Sequence, residues 1–97
     1  MAKHVIYTKW HWPDGVPSAE EMQDYHRGHK GQTKAEDIIW WKIDDNTHQS
    51  AIICKSKQDA DDEMKMITEN RKKTSEETGH KMLEETSGPI LSMLSDV

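Results

Sequence analysis

The 97-residue sequence has no phenylalanine, a single cysteine, no excess of basic residues and only short apolar stretches. Each shortage excludes something. With Cys54 alone no internal disulfide can staple the fold, so the residue reads as a small buried strand residue of a cytoplasmic protein rather than a reactive thiol. A formal charge of -5 argues against nucleic acid as a partner, because phosphates call for clustered Lys and Arg. The one basic run, Arg71-Lys72-Lys73, is followed by Glu76-Glu77 and reads as a solvated helix face. No segment approaches the roughly 20 apolar residues that cross a bilayer, so no membrane partner is expected. The opening MAKHVIYTKWHW carries charge and two His and does not resemble a signal peptide.

What is present is aromatic and patterned. Only 33% of residues are apolar, yet four are Trp, and six Met share the hydrophobic load. One domain spanning residues 1–97 is expected, with a modest core and a highly charged exterior. His4 to Trp12 is rich in β-branched and aromatic residues and reads as a strand closed by Pro13-Asp14-Gly15. Pro17-Ser18-Ala19-Glu20-Glu21 starts a helix, with Ser18 placed to cap Glu21 and Glu21 to reach back. Ala19, Met22, Tyr25, His26 and His29 follow at helical spacing, and Gly28 and Gly31 weaken and end the helix.

The stretch DIIWWKI, Asp37 to Ile43, reads as the second strand. After a turn at Asp44-Asp45-Asn46-Thr47, Gln49 to Ser56 returns as the third and closes a hairpin. Asp59 suits an N-cap for a second helix carrying Ala60, Met64 and Ile67 on one face and reaching Thr74 or Glu77. After Gly79, residues 81–94 fit either a bulged strand broken at Gly88-Pro89 or a helical turn followed by an apolar strand. A strand is expected there. The order β-α-β-β-α-β gives an α+β, ferredoxin-like fold: a four-stranded antiparallel sheet with two helices on one face.

In such a two-layer domain the uncovered face should be polar. Here the strands are apolar on both sides. Ile39, Trp41 and Ile43 alternate with Ile38 and Trp40; Ala51 and Ile53 with Ile52 and Cys54; Val5 and Tyr7 with Ile6, Trp10 and Trp12. An open face of that composition is large for a monomer. Covering it at about 25 cal/mol per Å² favours sheet-to-sheet pairing with an identical chain, so a homodimer through the sheet face is expected.

This pattern resembles the dimeric α+β barrel superfamily, whose ferredoxin-like chains pair their sheets into a barrel. That superfamily includes antibiotic-biosynthesis-type monooxygenases, EthD-like proteins and muconolactone isomerases. PSAEEMQDYHRGH, Pro17 to His29, is similar to the EthD-like helix, in which a Pro/Ser start leads to an aromatic pair and then to a His at the helix end. The family usually continues with a small residue and Pro; here Lys30-Gly31 follow. The resemblance implies Tyr25 and His29 as the catalytic pair.

Six His raise the question of a metal. His26 and His29 could share a helical face with His11 nearby, but a transition metal needs three or four ligands and no such set is legible. Neither metal nor cofactor is expected. Two His at a helix C-terminus also suit the dipole there. An imidazole near neutrality beside a Tyr hydroxyl could exchange protons with a phenol or carbonyl. On that reading His29 is acid or base, Tyr25 orients, and Tyr7, Trp10, His26 and Trp41 line a pocket. The expected function is binding of a small aromatic or apolar molecule between sheet and helices. A cofactor-independent monooxygenase or isomerase is the first alternative. A purely structural protein, with no cavity above about 300 Å³, is the second.

Overall fold

β-Branched and aromatic residues at alternate positions draw His4–His11 into the first strand, β1, in the computed structural model, which describes residues 3–97 and the side chains of all of these except 70–78. Helix α1 (Ala19–His29) follows, then strands β2 (Ala35–Asp44) and β3 (Thr47–Cys54), helix α2 (Lys57–Thr78), and strand β4 (Lys81–Pro89). A short 3-10 turn at Leu94–Asp96 ends the chain. The sheet is antiparallel in the order β2-β3-β1-β4. This is the ferredoxin-like split βαβ arrangement.

Local chemistry sets the boundaries. Ser18 caps α1 by accepting from the Glu21 amide at 3.2 Å. The cap of α2 is Ser56, not Asp59: its Oγ accepts from the Asp59 amide at 3.2 Å and its carbonyl from Ala60. Ser56 therefore leaves the third strand, which stops at Cys54. The β2–β3 turn needs only Asp45-Asn46, because Asp44 Oδ1 accepts from the Asn46 amide at 2.8 Å. Thr47 and His48 thereby join β3, two residues earlier than the apolar alternation suggests. Gly79, at φ +74, turns the chain from α2 into β4. The strand ends at Pro89, which lacks an N–H; Ile90 makes a last tie to the Lys3 carbonyl at 2.7 Å, and residues 91–93 leave the sheet. The basic run Arg71-Lys72-Lys73 falls on α2 where side chains lie outside the described residues.

Register divides the side chains between faces. Ile6 lies opposite Ile52, which lies opposite Ile38; Thr8 opposite Ser50, which lies opposite Trp40. These residues form the covered face. The core there is small: Ile6, Ile52, Cys54 and Ala60 are buried, with Ala35, Ile38, Met64 and Ile67 packed around them. Helix α2 lies down on this layer. Helix α1 stands off: it buries no residue fully, and among the described residues none of its Cα atoms comes within 8 Å of a Cα in a strand or in α2. Glu63 of α2 ties the α1–β2 connection down, accepting from Thr33 Oγ1 at 2.5 Å and from the Lys34 amide at 2.8 Å.

Among the described residues no helix covers the other face. Trp41 (39% exposed), Ile39 and Ile43 stand on it from β2. A hydrogen-bond chain crosses it from strand to strand. Trp41 Nε1 donates to Gln49 Oε1 at 2.8 Å, Gln49 Nε2 donates to the Tyr7 hydroxyl at 2.6 Å, and that hydroxyl donates to Glu84 at 3.5 Å.

A cavity between the first helix and the edge strand

Because α1 stands off the sheet, the space beneath it is not filled. It forms a cavity of about 560 Å³. Its outer wall is the approach to α1 and its inward side, from Val16 and Pro17 to Met22 and His26. Its floor is the covered face of β2, where Ile38, Trp40 and Lys42 recur every second residue, with His48 of β3 beyond. Ile39 and Trp41 also line it, so the cavity continues round the free edge of β2 toward the open face. A second hollow of about 340 Å³ is a groove along α2 lined by Met64, Lys65, Thr68 and Glu69.

The inner end of the cavity is built from stacked rings. His26 stacks on Trp40, ring centroids 3.7 Å apart, and is the side chain that joins α1 to the sheet there. Trp40 meets the edge of His48 at 5.9 Å. Behind it Trp12 stacks on His80 at 4.3 Å, and Trp10 packs beside His80 at 5.0 Å. An indole N–H can only donate. Trp12 Nε1 donates to His48 Nδ1 at 2.8 Å, which fixes the His48 proton on Nε2. Burial pushes the His48 imidazole down to about 4, with the charge of His80 acting in the same direction. His80 is lowered by burial as well.

His26 stands in the cavity's wall. Burial, then the charge of neighbouring His29, hold it below the usual imidazole range, against a smaller opposing pull from Asp37. It is therefore neutral at pH 7. Its Nε2 is buried and has no hydrogen-bond partner among the described residues; Ser50 Oγ, on the next strand and paired across from Trp40, is in the same condition. A buried polar atom left unmatched costs about 1–3 kcal/mol.

Of the residues singled out in the sequence, His26 and Trp41 line the cavity. Trp10 belongs to the ring cluster behind it, its Nε1 bonded to Thr8 Oγ1 at 2.9 Å. Tyr7 lies on the open face, in the chain to Gln49. Tyr25 is 45% exposed, and His29 is half-buried at the end of α1; neither lines the cavity. Sequence reading passes over Trp40, Lys42 and His48 as site residues. His48 has a signal in the sequence: it continues the alternation of Ser50, Ile52 and Cys54 onto the covered face. Cys54 is fully buried, and its thiol is pushed up to about 11 by burial and by Glu63 and Asp59. Among the described residues no three of His, Cys, Asp or Glu gather into a metal-binding group, and no helix is long and apolar enough to cross a membrane. Comparison of the chain with known protein families, with curated proteins and with solved structures returned no match. The ferredoxin-like assignment rests on strand order and connectivity alone.

Proposed function

We propose that this protein is a small-molecule binder whose site is the cavity between α1 and β2. The observation that carries this reading is a space of about 560 Å³ under a helix that stands off the sheet, floored by Ile38 and Trp40 and walled by Met22 and His26. Volumes of this order suit drug-sized ligands, and such sites combine apolar walls with few polar groups. The test is a cavity-filling substitution, Met22→Trp. Isothermal titration with small aromatic compounds should give binding to the native chain and none to a folded Met22→Trp variant. Equal binding by both would remove the ligand from this cavity.

We further propose that the chain works as a homodimer paired through the open sheet face, in the manner of dimeric α+β barrels. Support comes from Ile39, Trp41 and Ile43, large apolar side chains left in water on one strand. Leu91, Leu94 and Val97, each more than 85% exposed, add apolar surface that a lone chain leaves uncovered. Trp41 borders both the open face and the cavity, so pairing would help close the cavity's mouth. The lone, buried Cys54 suits a reducing, cytoplasmic setting.

Acid–base catalysis without a cofactor is the second reading, favoured by one observation. His26, an imidazole held below its usual range by burial, stands in the wall of the cavity, and a neutral imidazole is the type of group that serves as a general base. On this reading His29, whose charge acts on His26 from one turn away, tunes the base, and Tyr25 stands at the helix surface beside them.

A further inference from the structure

Helix α1 is fastened at both ends and lightly held between them. Ahead of it the Val16 amide donates to the Asp45 carbonyl at 2.7 Å; behind it Glu63 accepts from Thr33 Oγ1 and from the Lys34 amide. Inside that second anchor Gly31 turns the chain at φ +90, a geometry glycine adopts freely, with open space where a side chain would stand. Between the anchors α1 buries no residue fully, and among the described residues it keeps its Cα atoms more than 8 Å from those of the strands and of α2. Met22 turns toward the gap, but the ring contact that spans it is His26 on Trp40, centroids 3.7 Å apart and planes 26° from parallel.

That stack is sensitive to the proton count of His26. In the neutral ring Nε2 can be the nitrogen without hydrogen; in the cation both nitrogens carry N–H. Nε2 is buried with no partner among the described residues, so the cation would hold a charged donor with no acceptor where it lies. The attraction of a cation to an indole face works the other way, but it is weak at a partly exposed site. Of the charged and titratable groups around the ring, His29 and Lys30 follow one turn on along α1. Asp37 and Lys42 stand on β2, and His48 lies on β3 against the edge of Trp40. Asp37 alone among these favours the cation, and its pull is weaker than burial and the charge of His29.

We propose that α1 is a lid hinged at Gly31, latched by the stack of His26 on Trp40 and released from the sheet when His26 takes up a proton. The ties at Val16 and Glu63 keep the helix attached, so release uncovers Ile38 and Trp40 while the sheet stays folded. A free imidazole titrates near 6.5, and the latched ring resists the cation. Closure is therefore complete above that pH and weakens as pH falls below it. The lid is a property of the helix and its latch, whether or not the cavity takes a ligand.

The test is amide exchange on the full-length, isotopically labelled protein at about pH 7.5 and about pH 5.5, expressed as protection over an unstructured chain so that the intrinsic pH effect cancels. Protection at residues 23–29 should lie below that of β1 and β3 and be insensitive to low urea, the mark of an opening smaller than global unfolding. It should fall up to about tenfold at the lower pH, the limit for one imidazole that titrates near 6.5 when free. His26→Phe keeps a ring on Trp40 and has no proton to gain, so its α1 should be equally protected at both pH values. His26→Ala removes the latch and should lower α1 protection at both. Native α1 protection that does not change with pH, a fall that His26→Phe repeats, or an α1 unaffected by His26→Ala would overturn the latch. Protection and urea dependence in α1 equal to those of β1 and β3 would mean that the helix opens only with the whole domain, and would overturn the lid.

Discussion

His48 shows how single residues here are held in one protonation state by packing. It is 4% exposed, accepts a hydrogen bond from Trp12 at a nitrogen that protonation would take away, and its imidazole is pushed down to about 4. Its folded value lies below the unfolded value of about 6.5. The neutral-state contribution to stability is therefore complete above pH 6.5 and is lost as pH falls from there toward 4, with a ceiling on the order of 3 kcal/mol for this one residue. His26 and His80 shift in the same direction and steepen the loss. Urea unfolding followed between about pH 7 and pH 4.5 should show falling stability over that interval, with a shallower fall in His48→Gln. A flat profile would mean that the ring cluster is open to solvent. Cys54 gives a second prediction at this scale. With its thiol buried and pushed up to about 11, it should react with a thiol reagent only as fast as the chain unfolds.

Between elements, what matters is how α1 is held. Two ties set its place over the sheet: the His26–Trp40 stack at its C-terminal half and the Glu63 clamp on the connection that follows it. Glu63 is 2% exposed and satisfies Thr33 and Lys34 at once. Glu63→Ala should therefore destabilise the fold by about 1–3 kcal/mol and loosen the α1–β2 connection, seen as faster amide exchange at residues 33–35. Exchange unchanged there would rule out the clamp. Alternation in DIIWWKI is enough to separate Trp40 from Trp41, because the pleat fixes a period of two whatever surrounds it. Helix and strand order are legible for the same reason: each period depends on local geometry. The cavity is not legible. It depends on how far α1 stands from the sheet, and Met22 and His26 look alike in sequence whether a helix is packed tight or held away. The same limit applies to Tyr25 and His29, which share a helical stripe with His26 but lie beyond the reach of the floor.

For the whole molecule, the open face is the unbalanced feature. A small core around Ile6 and Ile52 faces an opposite surface with Trp41, Ile39 and Ile43 in water. Pairing two such faces removes apolar area from both chains by one contact. Light scattering at micromolar concentration should give twice the chain mass, and Ile39→Asp should return a folded monomer with the covered-face cluster intact. A monomer for the native chain would end the pairing proposal without touching the cavity, which lies mainly on the other side of β2. The direct test of the ligand site is a shift-perturbation screen of small aromatic and apolar compounds against the labelled native protein. Ligands of the proposed site should move the Trp40 indole and the backbone of residues 16–26 and 38–42, leaving β4 and α2 unmoved. Perturbations confined to the open face, or none across the screen, would contradict it.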